Sequence, residues 1–345
     1  MAAGNDSVVG NVRVDTFLTN YSERFAQDPN AYIAGQAATM IPVQNQSGYF
    51  ATWDRSYWLR DEMEPRPYGG APVQATMGVG RKDYFIDEYA LEWFVDDRFR
   101  ANVAGPANTN PYGASDFGAV EFLTQKALLR RDRMISTTIF NPDSWNYNYA
   151  GVASAPNATQ FISFDQTGAN PVATIDVWKR QTQLATGLRP NTLILGIKVI
   201  DNLRLNPYIQ DLIKYSQIGV ATEQLLATLF GVDRVLVAQS IYNAAAENVD
   251  PAASENYQWN IPANAMWLGY IAPNGALNTP TAVIGFTWAG LLNQLGGTGR
   301  SEQGFVVRRG RDDRAASDWY HVHDAISYKI ASSELGTYAT NVVSL

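Results

Sequence analysis

The chain has 345 residues, of which 46% are hydrophobic, 17% are charged and none is cysteine, and its net charge is −7. The lack of cysteine excludes disulfides and cysteine-bound metals, and the negative charge argues against tight nucleic-acid binding, which needs a basic face. A charged fraction below the usual value of about 25% suits a surface that is largely covered by copies of the same chain, and the nine Trp and eighteen Tyr residues favour extensive interfaces.

The first 48 residues are polar with scattered aromatic residues. They predict an arm that packs on another part of the structure, with a short helix over residues 15–26. The first ten residues, MAAGNDSVVG, lack the basic region and apolar core of a signal peptide. The longest apolar stretch, residues 282–292, is too short to cross a bilayer. We therefore expect a soluble protein that is made in the cytoplasm and contacts no membrane.

Residues 49–90 predict a long hairpin. Its return branch is expected over residues 73–79 and 84–86. Residues 61–74, DEMEPRPYGGAPVQ, hold three prolines and two adjacent glycines, which cannot continue a helix or a central strand. Connections of this length are usually functional or disordered, and the mixed charges and aromatic residues argue against disorder.

The clearest predicted helix covers residues 115–139. Its apolar residues recur at steps of three and four, namely Phe117, Val120, Leu123, Ala127, Met134 and Ile135. Three arginines stand towards its C-terminal end, where the helix dipole favours cations, and Pro142 stops it. The segment is about twice as long as an average helix, which predicts a central spine of the fold.

The remainder of the chain mixes helices and strands without regular alternation, which predicts an α+β fold. Helices are predicted over residues 171–188, 198–205, 207–215 and 222–230. Strands are predicted over residues 190–196, 232–237, 265–272, 281–290, 304–309 and 318–331, and a polar loop over residues 244–264.

The sequence shows no nucleophile elbow, no Walker phosphate loop and no His-Glu-x-x-His motif. The only histidines, His321 and His323, would point to the same face of a strand and could bind a metal. However, Asp318 and Asp324 would face the other way, and no third ligand is identifiable. A half-buried strand explains this pattern more simply than a metal site does.

Three segments together resemble the major capsid proteins of tailed bacteriophages. They are EYALEWFVDDRFRANVAGPANTNPYGASDFGAVEFLTQKALLRRD (residues 88–132), RPNTLILGIKVIDNLRLNPYIQDLIKY (189–215) and LLATLFGVDRVLVAQSIYNAA (225–245). Each match is weak by itself, but all three occur in one order and spacing between residues 88 and 245. The resemblance implies the capsid fold that tailed phages share with herpesviruses.

This family plan implies four parts of the subunit. They are an N-terminal arm (residues 1–48), an extended loop (49–90), a peripheral domain with the spine helix 115–139 (91–189 and 306–345) and an axial domain (190–305). Some relatives begin with a long scaffold segment that is later cleaved, whereas the arm here is short.

The resemblance implies a structural protein without catalytic activity or cofactor, which forms pentamers and hexamers in an icosahedral shell around double-stranded DNA. Its expected partners are copies of itself, possible scaffold, decoration and portal proteins, and packaged DNA contacted non-specifically. Its expected location is the virion capsid, assembled in the host cytoplasm. Two alternatives remain open, an encapsulin-like compartment shell and a carbohydrate hydrolase that uses tryptophans and carboxylates.

Two groups of residues are expected at contacts between subunits. At the loop tip they are Glu62, Met63, Glu64, Arg66 and Tyr68, which combine apolar area with charges for rim ion pairs. On the spine helix they are Arg130, Arg131 and Arg133, for which helix-terminal charges or subunit ion pairs are favoured over contacts with DNA.

Overall fold

The structure, a computed structural model, describes residues 6–9, 12–15, 27–53, 55–98, 115–214, 222–245, 256–275, 279–295 and 305–344. The strands of these segments are β1 (Asp6–Val9), β2 (Val12–Asp15), β3 (Thr39–Val43), β4 (Ser47–Trp53), β5 (Val79–Phe85), β6 (Glu88–Asp96), β7 (Tyr147–Val152), β8 (Gln160–Ile162), β9 (Thr192–Gly196), β10 (Arg234–Ala238), β11 (Ile241–Asn243), β12 (Tyr257–Trp259), β13 (Met266–Gly269), β14 (Val283–Trp288), β15 (Phe305–Asp312), β16 (Ser317–Ile330) and β17 (Gly336–Thr340).

The α-helices of the same segments are α1 (Arg55–Trp58), α2 (Ser115–Ile139), α3 (Pro171–Thr186), α4 (Ile197–Leu205), α5 (Pro207–Ile213), α6 (Glu223–Phe230) and α7 (Ala289–Gln294), and single 3-10 turns lie at Pro29–Ala31 and Pro142–Ser144. None of these helices is long and apolar enough to cross a membrane. The mixture of helices and sheets confirms the α+β prediction.

A six-stranded sheet has the order β10-β9-β13-β17-β7-β8. Its strand β9 is buried at all five residues, because strands on both sides and helices on the faces cover it. β9 and β10 run parallel and are connected through α4, α5 and α6. β7, β8 and β17 come from residues outside 190–305, so the sheet extends beyond the boundaries that were predicted for the axial domain.

A second sheet is built around the fourteen-residue strand β16 and has the order β15-β16-β14-β3. β6 also pairs with the first half of β16, whereas β14 pairs with its second half. β14 lies within the range predicted for the axial domain, but it belongs to this sheet. β3 also joins it as an edge strand, so residues 39–43 of the range predicted for the arm pair with β14 of the same subunit.

Helix α2 packs along β16 and β6 and has the bounds that the sequence predicts. Its Leu123, Ala127 and Ile135 are buried. One hydrophobic cluster contains Ile135 together with side chains of both sheets, including Trp267 of β13 and Ile326 of β16. The spine helix therefore joins the two sheets through a shared core.

The predicted helices of the second half are confirmed, and local capping explains both ends of α6. Thr222 accepts the backbone N–H of Leu225 at the start of α6, and Gly231 ends it with a positive φ of 57°. Two further sequence predictions have a different outcome. The segment 244–264, which was predicted as a polar loop, contains β12, which pairs with β11. Asp15 lies in β2, and residues 16–26 of the predicted N-terminal helix lie outside the described residues.

Candidate functional site

The long hairpin consists of β4 and β5, which pair antiparallel from Ser47 opposite Phe85 to Trp53 opposite Val79. Its base is fixed in the core, where Tyr84 stacks on Phe286 with ring centroids 4.4 Å apart. The Lys82 ammonium donates to the carbonyls of Ile330 (3.3 Å) and Ala331 (3.0 Å) at the end of β16. The hairpin ends at Phe85, and residues 88–90 belong to β6 instead of to the loop.

Residues 59–78 connect the two branches without regular secondary structure. The tip is a turn in which the Gly70 N–H donates to the Pro67 carbonyl at 3.0 Å, and Gly69 adopts a positive φ of 75° that glycine tolerates without strain. Arg66 donates from Nε to the Gly70 carbonyl at 2.6 Å, which fixes the turn.

The predicted tip residues lie where an incoming surface could reach them. Met63 is 93% exposed and Tyr68 is fully exposed. Glu64 and Arg66 are also exposed, whereas Glu62 is half-buried and pairs with Arg60 at 3.3 Å. The apolar area of Met63 and Tyr68 is therefore available for contact with a second surface.

The three arginines of the spine helix have different surroundings. Arg131 is buried and donates from Nε and Nη2 to the two carboxylate oxygens of Asp324, both at 3.0 Å. Burial raises the pKa of Asp324, and the adjacent Arg131 opposes this rise. The prediction of a contact between subunits is therefore wrong for Arg131, because its guanidinium is enclosed within its own subunit.

Arg130 and Arg133 remain accessible beside aromatic rings. The Arg130 guanidinium lies 4.5 Å from the centroid of Tyr89, and that of Arg133 lies 3.8 Å from the centroid of Tyr242. Arg130 is exposed and Arg133 is half-buried. Their proposed role between subunits is therefore compatible with their positions.

Asp132 forms a buried junction that the sequence analysis did not identify. Its Oδ1 accepts the backbone N–H groups of Ile33 (3.1 Å) and Ala34 (2.9 Å), and its Oδ2 accepts the Ser240 hydroxyl (2.6 Å). Asn260 donates to the same hydroxyl at 2.9 Å. Desolvation raises the pKa of Asp132 to about 6, although its three hydrogen bonds oppose that rise. One carboxylate thus ties the N-terminal segment and the turn after β10 to the spine helix.

The outer part of β6 and the adjoining surface of α2 form an apolar ledge, defined by Leu91, Trp93 and Phe122. The exposed fractions of Leu91 and Trp93 are 43% and 47%, and Phe94, which lies on the opposite face of β6, is 55% exposed. Trp93 contacts Phe122 edge to face with ring centroids 5.2 Å apart. This ledge was also missed, although the cluster of aromatic residues in EYALEWFV could have indicated it.

Both histidines lie on one face of β16, as the alternation predicts. His321 contacts Glu92, and His323 Nδ1 lies 2.7 Å from Glu88 Oε1. Asp324 points to the opposite face, towards Arg131. Within the described residues, no group of three or more His, Asp or Glu side chains is arranged to hold a metal ion.

The burial of Arg131 had a sequence signal. Leu123, Ala127, Arg131 and Ile135 follow each other at steps of four, so Arg131 continues the apolar stripe of the helix. A cation in such a stripe predicts a buried partner, but only the fold could identify that partner as Asp324.

Comparison with known proteins gives a consistent result. No family model matches the chain. It is 27% identical over 230 residues to the major capsid protein of Burkholderia phage BcepMu. The aligned residues cover 66% of this chain and 70% of that protein.

Solved structures resemble the fold over nearly the whole chain. A phage-related protein from Bordetella bronchiseptica is 16% identical, with a TM-score of 0.66 over 95% of this chain and 96% of that one. A capsid protein of cyanophage P-SCSP1u is 10% identical, with a TM-score of 0.56 over 92% and 90%. The mature capsid of bacteriophage PhiM1 is 11% identical, with a TM-score of 0.50 over 97% and 91%. The chain therefore has the α+β capsid fold of tailed bacteriophages and is a homologue of a phage major capsid protein.

Proposed function

We propose that this chain is a major capsid protein, a structural subunit that self-assembles into the shell of a tailed phage. The observation that carries the proposal is the sequence relationship to the BcepMu major capsid protein over two thirds of the chain. The fold and the exposed hairpin tip support it, because both suit a subunit that is completed by neighbouring copies. We assign the chain no catalytic activity and no cofactor.

The two sheets suggest how the subunit is divided in the shell. We assign the six-stranded sheet with α3 to α6 to the axial domain, and the second sheet with α2 to the peripheral domain. Residues 47–85 form the extended loop in this proposal. The subunits would form pentamers and hexamers of an icosahedral shell around double-stranded DNA, with scaffold, decoration and portal proteins as candidate partners. The location would be the virion capsid, after assembly in the host cytoplasm.

Assembly is tested directly with the purified chain, alone and co-expressed with the products of neighbouring genes. Light scattering across salt and pH, followed by negative-stain electron microscopy, should reveal capsomers or closed shells. A monodisperse monomer under every condition would contradict the proposal. Shells that contain a cargo enzyme in place of DNA, from a source without portal and terminase genes, would favour the encapsulin-like alternative.

A further inference from the structure

The first half of β16 lies at the centre of a three-stranded ribbon, between β6 on one side and β15 on the other. In the part of the chain that the structure describes, no strand pairs with the outer edge of either β6 or β15. The two edges are long, with nine and eight residues. Edges of this length present rows of backbone donors and acceptors that can pair with another chain.

The two edge strands carry opposite charge. β6 contains three carboxylates, Glu88, Glu92 and Asp96, and no basic residue. β15 contains three arginines, Arg308, Arg309 and Arg311, and a single carboxylate, Asp312. Arg308 lies on the face of the ribbon that carries the three β6 carboxylates, whereas Arg309 and Arg311 lie on the opposite face. Within the chain, Glu92 contacts His321 and Glu88 contacts His323. Arg309 and Arg311 pair with Asp318, and Arg311 also pairs with Asp97 and Asp313. The exposed Arg308 is therefore the β15 cation that can complement the acidic edge.

The strand directions and the charges together select one mode of pairing. β6 and β15 both run antiparallel to β16, so they run parallel to each other. A second copy that continues the sheet would therefore place its Arg308 on the same face as the carboxylates of β6 in a head-to-tail contact. A two-fold axis would instead oppose β6 to β6 and carboxylates to carboxylates, which is unfavourable. Head-to-tail contacts close into rings when the rotation between copies permits it.

We propose that β6 of one subunit pairs edge to edge with β15 of a second copy, so that the sheet continues across the subunit boundary. The contact would also cover apolar side chains that a free subunit leaves in water, namely Leu91 and Trp93 of the apolar ledge and Phe94 on the opposite face of β6. This inference rests on the proposed self-assembly and identifies one of its contacts.

Cysteine trapping tests the contact without interference, because the natural chain contains no cysteine. Arg308→Cys is combined in turn with Ala90→Cys, Glu92→Cys or Phe94→Cys, which sample three registers on the same face of the ribbon. Within one subunit these positions lie two strands apart, about 10 Å at ~4.8 Å per strand. A disulfide needs Cβ atoms within about 4.5 Å, so a crosslink can form only between copies.

Mild oxidation of assembled particles should give a ladder of covalent multimers on a non-reducing denaturing gel, at one register at least. Unassembled subunits and the Arg308→Cys single variant should remain monomeric. Particles that are intact by electron microscopy but give no multimers at any register would overturn the edge contact and leave the proposed function standing. Disulfide-linked dimers from the single variant Phe94→Cys would indicate that β6 pairs with β6 across a two-fold axis. That result would also overturn the proposed contact between β6 and β15.

Hydrogen exchange of the unaltered protein provides a second measurement if the cysteine variants fail to assemble. Amides of residues 88–96 and 305–312 should exchange at least about tenfold more slowly in particles than in free subunits. The internal strand β13 is the reference. Unchanged exchange at both edges would overturn the contact, and a natural chain that never assembles would overturn the contact and the proposed function together.

Discussion

Arg131 and Asp324 form a bidentate ion pair in which both side chains are buried. Arg131→Gln removes the charge and the paired hydrogen bonds and leaves Asp324 buried without its cation. We expect the free energy of unfolding of the unassembled subunit to fall by about 3–5 kcal/mol, because an uncompensated charge in the interior is strongly unfavourable. Urea unfolding followed by circular dichroism measures this loss.

Arg133→Gln is the matched control on the same helix. Arg133 is half-buried and loses only its contact with the Tyr242 ring, so we expect a change below about 1 kcal/mol. Equal losses in the two variants would show that the Arg131 pair contributes no more than a surface contact.

Asp132 makes the stability of the subunit depend on pH in an unusual direction. Its pKa rises from 3.8 in the unfolded chain to about 6 in the folded chain. Between these values the folded chain holds a proton that the unfolded chain has lost, so acidification stabilises the folded state through this group. The stabilisation is complete below pH ~4 and is lost as the pH rises through about 6. Between pH 7 and pH 5 the gain should be about 1 kcal/mol.

Asp132→Asn isolates this effect. The amide oxygen can still accept the N–H groups of Ile33 and Ala34, and the amide nitrogen can donate to Ser240, so the junction should persist. We expect the variant to lack this part of the pH dependence in urea unfolding between pH 5 and pH 7. A variant with the same pH dependence as the natural chain would refute the assignment to Asp132.

The hairpin is an element whose base and tip have different roles. Phe50 and Tyr84 anchor its base in the core, whereas residues 61–69 of its excursion have mostly exposed side chains. Replacement of residues 62–72 by a short Gly-Ser turn should therefore shift the melting temperature of the free subunit by less than about 2 °C, since surface changes cost little. Shell formation should be lost, as judged by light scattering and electron microscopy.

A second variant separates the shape of the loop from its apolar contacts. Met63→Ser combined with Tyr68→Ser keeps the Pro67–Gly70 turn and removes the two most exposed apolar side chains of the tip. We expect weaker assembly than in the natural protein and an unchanged free subunit. For the variant in which a Gly-Ser turn replaces residues 62–72, normal shells would contradict the prediction that the tip is needed for assembly. Failure of that variant to fold would contradict the prediction that the tip is dispensable for folding.

At the scale of the whole molecule, the two sheets share one hydrophobic cluster. Trp267 of β13 is completely buried and lies 5.4 Å from Trp145, measured between ring centroids. Ile326 and Tyr328 of the second sheet belong to the same cluster. We therefore expect Trp267→Ala to destabilise both sheets together, by about 3–5 kcal/mol.

The measurement compares two probes of the unassembled subunit, far-ultraviolet circular dichroism and intrinsic fluorescence, during thermal unfolding. Coincident transitions that move down together in the variant would support a single cooperative unit. Two separated transitions, of which one is unaffected by Trp267→Ala, would show that the sheets unfold independently.

Local signals in the sequence determined the elements that depend on nearby residues. The bounds of α2 follow from its apolar period and from Pro142, those of α6 from the Thr222 cap and Gly231, and the excursion of the hairpin from its prolines and glycines. The exposed loop tip, with Met63 and Tyr68, was predictable for the same reason. Such signals are readable because capping, periodicity and turn chemistry act within a few residues.

Only the tertiary structure decided which strands pair and which charges are buried. β3, β7 and β17 lie far apart in sequence and carry no clear alternation, so their places in the two sheets come from partners that the sequence does not indicate. The division between the sheets therefore differs from the predicted domain boundaries. Arg131 is buried and Arg133 is half-buried, although both lie near the same end of α2. The sequence does not indicate this difference, because burial of a side chain depends on the elements packed against it, here β16 with Asp324.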